Sequence, residues 1–261
     1  MRRGDRTTWI ARNGGAARVS VDVLAFGPHP DDVELLCGGT VAKLVRQGYT
    51  VGLVDMTKGE LGTRGSAGER EAEAREAAGI LGVAFRENLS LPDGGLNSRD
   101  EAQRRSVVDI IRKHKPRMVI GPAARDRHPD HLQGASLVEE AVFLANVGKW
   151  PGGFPRHKVK ALIRYPMWWH AEADLIVDVS DTWETKMRAV HSFRTQFHSP
   201  GVEGPETLLS SARFIGWIEG RGSQFGALIG VAKGEPFLLR NPVPVGDPFE
   251  LLVNGAGEAN P

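Results

Sequence analysis

From residue 19 to about 145 the chain alternates short apolar runs with longer stretches whose apolar residues recur every three or four positions. The short runs, at 21–26, 50–56, 88–91 and 118–121, predict strands; the longer stretches, at 33–46, 66–81, 100–114 and 132–147, predict helices. Leu35, Leu36, Val41, Leu44 and Val45 make the stripe of the first helix, and Val107, Val108, Ile110 and Ile111 that of the third. Ala135, Val138, Val142 and Ala145 share one face of the fourth. Ser66 and Glu69 fit a capping box, Gly82 ends that helix, and Pro116 stops the next. This order predicts an α/β, Rossmann-like, mostly parallel sheet with helices on both faces and an active site at the C-terminal ends of the strands.

Beyond residue 150 the pattern changes. Strands are predicted at 160–165, 175–179 and 237–239, a helix at 182–193 capped by Ser180 or Asp181, and another at 206–219. From Asn241 the proline-rich chain reads as a tail along the surface. Residues 1–18, rich in Gly and Arg without periodicity, read as a loose tail, so one domain is expected at 19–253 with a short C-terminal tail at 254–261.

Composition narrows the class. Hydrophobic residues make up 41% and charged residues 25%, as in soluble globular proteins. A formal net charge of +1 leaves no footprint for nucleic acid or an anionic membrane, so neither is expected as a partner. No apolar run approaches the roughly 18 residues of a membrane span. Arg2, Arg3 and Arg6 precede no uninterrupted apolar core, so no export signal is read and a cytoplasmic location is expected. The single cysteine, Cys37, lies in an apolar stripe and reads as a buried structural thiol.

The chemistry sits on two turns that each follow a predicted strand. The first, Gly27-Pro28-His29-Pro30-Asp31-Asp32-Val33-Glu34, places an imidazole and two carboxylates between strand and helix; the second is His128-Pro129-Asp130-His131. No G-x-G-x-x-G and no P-loop is present, which argues against a nucleotide site. The turns offer a metal site of the two-His, one-carboxylate kind instead: His29, one of Asp31 and Asp32, and one of His128 and His131. A spare carboxylate can then act as base, a spare imidazole as acid or oxyanion partner, and Asp130 as the group that orients it. Either aspartate alone reads more readily as a helix cap than as a ligand, and spacing does not divide the roles between them. An H-x-H-x-D-H motif is incomplete, because Asp126 stands where its first histidine belongs. His114 and His157 read as solvated, whereas His170 and His191 are candidates for core, interface or site. Trp168 and Trp169 read as packing, with sugar stacking as the alternative.

Taken together the two turns resemble the paired signatures of the PIG-L/LmbE-like zinc de-N-acetylases. The chain is most like the bacillithiol-biosynthesis branch, which acts on N-acetyl-glucosaminyl-L-malate. Supporting stretches are 56–65, 68–70, 88–93, 126–128 and 192–197, and the resemblance runs from about residue 20 to 250. It implies that His29, Asp32 and His131 hold Zn2+, with Fe2+ an alternative. It implies Asp31 as general base, His128 as electrostatic partner or acid, and Asp130 as its orienting group. Arg70, with Arg127 and Arg64 behind it, is implied to grip the substrate, a malate carboxylate suiting arginine's fork. The implied partner is a small N-acetylated sugar, the implied assembly a homo-oligomer. The alternatives are a deacetylase of another N-acetylglucosamine conjugate or chitooligosaccharide, and a non-catalytic metal- or sugar-binding module.

Overall fold

A computed structural model describes residues 20–167, 172–202 and 204–254. The predicted tail at 1–18, Trp168, Trp169, His170 and the last residues fall outside them. In chain order the elements are β1 Val23–Gly27, α1 Asp32–Arg46, β2 Val51–Thr57, α2 Ala67–Leu81, β3 Phe85–Leu91, α3 Glu101–His114 and β4 Met118–Pro122. There follow α4 Pro129–Leu144, β5 Ala161–Tyr165, β6 Leu175–Asp178, α5 Trp183–His191, α6 Ala212–Leu228 and β7 Gly234–Leu239.

The strands form one seven-stranded sheet in the order β3-β2-β1-β4-β5-β7-β6. β1 to β5 run parallel, while β7 lies antiparallel between β5 and β6. The sheet is Rossmann-like and mostly parallel, as the pattern predicts. β1 and β2 are buried along their whole length because helices cover both faces, which is why they read as continuous apolar runs. Alternate residues serve opposite cores: Leu24 and Phe26 pack with residues of α3 and α4, Val23 and Ala25 with those of α1, α2, α5 and α6. Tyr165, fully buried, donates its hydroxyl to the Phe26 carbonyl at 2.8 Å and ties β5 to β1.

β1 and β4 are neighbours, with Val23 opposite Met118. From β1 the chain crosses towards β2, and from β4 towards β5. The carboxyl ends of these two strands therefore flank the switch point of the sheet, where open α/β sheets leave a crevice. Each of the two His/Asp turns follows one of them.

Some boundaries differ from the predicted ones. α4 begins at Pro129 rather than 132, so the His-Pro-Asp-His run is the start of a helix and not a loop; Pro129 suits a first helical position, where no N–H is needed. α6 starts at Ala212 rather than 206, with Ser211 accepting the Phe214 N–H at 3.3 Å as its cap. α5 is entered through Thr182, because Ser180 turns back to Asp178 at 2.7 Å. His114 is not solvated: it is 1% exposed, stacked on Phe85 at 4.1 Å and bonded to Glu87 at 2.8 Å. His157 is half-buried and bonds the Pro116 carbonyl at 2.7 Å. His191 is exposed at the end of α5.

Candidate metal centre

The first turn is tight and strained. A Cβ at Gly27 would lie 2.9 Å from the His29 carbonyl oxygen. The Pro28 carbonyl accepts from Thr57 N at 3.1 Å and Thr57 Oγ1 at 3.0 Å, which ties the turn to β2. Asp31 then adopts φ 110, a left-handed conformation that costs a non-glycine residue of order 1–3 kcal/mol. The reversal sends the adjacent carboxylates in different directions. Asp32 meets the imidazoles; Asp31 meets Arg70.

Around Asp32 the donors converge. Its Oδ2 lies 3.3 Å from His29 Nδ1 and its Oδ1 3.5 Å from His131 Nε2. One donor atom from each of His29, Asp32 and His131 falls within 4.8 Å of the others, and all three residues are buried. The opposite ring nitrogens face other carboxylates. His29 Nε2 is 3.2 Å from Asp93 Oδ1 and 3.4 Å from Asp130 Oδ2, and His131 Nδ1 is 3.4 Å from Asp126 Oδ1. A carboxylate behind each imidazole is the arrangement that fixes tautomer and aim in metal-binding histidines. His131 Nδ1 and Asp126 Oδ2 are both buried without a hydrogen bond.

The electrostatics agree. Burial works against a charged Asp32, yet His131 and His29 hold it well below the carboxylate range. Burial likewise opposes charge on His29, but Asp130, Asp32 and Asp93 raise it well above the ordinary imidazole value. His131 is raised too, against its burial, chiefly by Asp32 and Asp126. These carboxylates favour a cation at the imidazoles. Two imidazoles and one ionised carboxylate fit zinc or ferrous iron by donor type.

Asp31 behaves differently. Burial pushes it up to about 7, Arg70 opposing and Asp32 adding to the rise. His128 caps α4, its Nδ1 accepting the Asp130 N–H at 3.2 Å, so in the neutral ring the proton sits on Nε2. Burial and the neighbouring His131 and His29 lower its pKa. It stacks on His131 with ring centres 4.7 Å apart.

Asp130 does not orient His128 through its carboxylate, as the resemblance implies. Its oxygens accept from Gly94 N at 2.7 Å and Leu96 N at 3.1 Å, and the same Oδ2 faces His29. What orients His128 is the backbone N–H of Asp130 and that of His128 itself, which bonds Asp126 at 2.7 Å.

The three arginines make different contacts within the protein. Arg70, 4% exposed, donates to the carbonyls of Gly59 and Pro30 at 2.8 Å each and to Asp31 Oδ2 at 3.1 Å. Arg64 holds the carbonyls of Thr195, Val202 and Pro205, stapling one rim loop to another. Only Arg127, exposed between Asp126 and His128, makes no hydrogen bond or ion pair with a described residue.

Sequence reasoning assigned no role to Asp93 or Asp126. Asp93 stands in a Pro-Asp-Gly-Gly turn and reads as a turn residue; here it also accepts Leu61 N at 2.8 Å. The available signal was their place in stretches shared with the family, 88–93 and 126–128.

The family model described as GlcNAc-PI de-N-acetylase matches residues 24–142, which hold both turns. The diacetylchitobiose deacetylase of Thermococcus kodakarensis is 33% identical over 190 residues, 67% of this chain and 70% of that protein. The crystal structure of the conserved protein TT1542 from Thermus thermophilus superimposes with a TM-score of 0.79 at 35% identity, covering 86% of this chain and 97% of that one. The N,N'-diacetylchitobiose deacetylase of Pyrococcus horikoshii gives a TM-score of 0.72 at 28% identity, over 83% of this chain and 82% of that one. The branch expected from the sequence is more distant: a probable N-acetyl-alpha-D-glucosaminyl L-malate deacetylase of Bacillus subtilis is 27% identical over 212 residues, 76% of this chain and 93% of that protein. With both signature turns converging on potential metal donors around His29, the chain belongs to the PIG-L family of metal-dependent N-deacetylases.

Proposed function

We propose that the protein hydrolyses the acetamide of a neutral N-acetylglucosaminide of the chitooligosaccharide type, releasing acetate and a free amine. The observation that carries this reading is the division of two adjacent carboxylates, one among the metal donors and one beside an arginine. His29, Asp32 and His131 would hold the ion. A divalent ion there supplies Lewis-acid polarisation and an acidified water, zinc being the first candidate.

The remaining steps belong to the protein. Asp31, outside the donor set and poised near 7, takes a proton from the water whose oxygen bonds to the acetamide carbon. Neutral His128 presents its Nε2–H to the developing oxyanion. As the C–N bond breaks, the proton held by Asp31 passes to the leaving nitrogen, giving the amine and acetate. Asp93, Asp126 and Asp130 keep the imidazoles aimed.

The substrate preference follows from the arginines. A malate conjugate needs a cationic fork, but Arg70 and Arg64 are committed inside the protein and Arg127 stands alone at the rim. The similarity to diacetylchitobiose deacetylases supports the same preference. Acetate release should be measured from N,N'-diacetylchitobiose and from N-acetylglucosaminyl malate, each with and without a chelator. Faster, chelator-sensitive release from the neutral substrate is expected. Preference for the malate conjugate, or no acetate from either, would sink the proposal.

A further inference from the structure

We propose that Leu61 is the apolar platform for the sugar ring beyond the reacting N-acetylglucosamine, and so a residue that sets substrate length. The inference rests on the proposed function. A lone exposed leucine is ordinary on a protein surface; the anchorage and place of this one carry the argument. Leu61 is 71% exposed, and no large apolar side chain among the described residues is more so. Its backbone is nonetheless held fast. It stands third in a turn closed by the Gly62 N–H, which donates to the Gly59 carbonyl at 3.0 Å, with Gly59 at φ +64. Its own N–H donates to Asp93 Oδ2 at 2.8 Å. Glu60, just before it, turns back: Oε1 accepts the Asp93 N–H at 3.0 Å and Oε2 the Lys58 N–H at 3.2 Å. The glutamate is spent on the backbone, so the leucine is what this turn offers to a ligand.

The same contacts fix its place. Asp93 Oδ1 is 3.2 Å from His29 Nε2, so a single carboxylate separates Leu61 from a candidate metal donor. The leucine lies over Gly94: a Cβ there would come within 2.9 Å of Leu61 Cδ1. The Gly94 N–H in turn bonds Asp130 Oδ2, the oxygen that faces His29. The methyl groups therefore stand beside the donors at the surface, while the acetamide must reach the buried donors themselves. So open a position does not make an acetyl pocket. It suits the C–H face of the next pyranose ring, which an aliphatic side chain covers without leaving a polar group unpaired.

The test pairs kinetics on two substrate lengths with a readout free of catalysis. In Leu61→Ala the ratio of kcat/KM for N,N'-diacetylchitobiose to that for N-acetylglucosamine should fall about 5-fold, the scale of losing part of a leucine's contact area. The loss should lie in the KM of the disaccharide, as for binding common to ground and transition states. Leu61→Phe, which keeps an apolar surface, should hold the wild-type ratio. The urea midpoint of each variant should stay put, because the side chain is exposed. Separately, the Leu61 methyl resonances, assigned by their loss in Leu61→Ala, should shift when N,N'-diacetylchitobiose is added to zinc-loaded Asp31→Asn protein, and not with N-acetylglucosamine. An unchanged ratio, a fall in kcat shared by both sugars, or equal methyl shifts with both would overturn the platform and leave the proposed function standing. No acetate from either sugar with wild type marks the failure of the proposed function, and the inference falls with it.

Discussion

Two neighbouring aspartates with the same chemistry come to hold opposite protonation behaviour because one backbone angle parts them. Asp32 stays ionised among imidazoles, while burial lifts Asp31 to about 7 from an ordinary 3.8. A carboxyl raised in the folded state binds its proton more tightly folded than unfolded. In metal-free protein its contribution to stability is therefore intact below the unfolded value, fades as pH rises, and is lost above about 7. Asp31→Asn removes that loss. Thermal unfolding of chelated protein at pH 5 and pH 8 should show the variant gaining on wild type at the higher pH; a constant difference would refute it. Asp126 gives a second prediction. It backs His131 and anchors His128, so Asp126→Ala should weaken zinc binding roughly 10–100-fold in a competition titration. His29, Asp32 and His131 were legible as donor types because imidazoles and carboxylates clustered after strands have few other uses. The division between Asp31 and Asp32 was open to the family resemblance alone and not to spacing, since it depends on φ. Asp93 and Asp126 were hidden because a carboxylate in a turn is usually only a turn residue.

At the level of elements, α1 is pinned to the sheet by buried charge as well as apolar contact. Arg86 of β3 bonds Glu34 Oε1 of α1 at 2.5 Å and both oxygens of Asp55 on β2 at 2.7 Å, with all three side chains at most 9% exposed. Glu34 sits two residues beyond Asp32, so this triad sets the register of the helix that begins at the metal turn. Removing one partner strands the others. Arg86→Ala should cost about 3–5 kcal/mol in urea unfolding, the range for breaking a buried ion pair, whereas a loss below about 1 kcal/mol would mean water already screens the site. The triad also explains why β3 was read too short: Arg86 and Glu87 look like surface residues, yet Arg86 is paired inside. α2 was legible almost to the residue because its capping box and Gly82 are local signals. α4 is expected too late because Pro129 suggests a loop although it suits a first helical position, and α6 too early because residues 206–211 carry no breaker although Ser211 is the cap.

Across the whole molecule, the donors come from two turns about a hundred residues apart that meet only because β1 and β4 are adjacent in the sheet. An ion held there joins the β1–α1 turn to the first turn of α4, so it binds the folded chain and not the unfolded one. Such a ligand at 1,000 times its Kd adds about 4 kcal/mol by mass action. For a domain of this size, each kcal/mol moves Tm by roughly 2–4 °C. Chelation should therefore lower Tm on the order of 10 °C, and zinc should restore it. The alternative source of such a shift is chelator acting elsewhere on the protein, and His131→Ala separates the two. That variant lacks a donor on the α4 side, so its Tm should already be low and should not respond to chelator. If metal analysis shows the ion leaving wild type while Tm stays fixed, the ion does not bridge the turns. If His131→Ala keeps the full chelator response, the ion lies somewhere other than the end of β1 and β4.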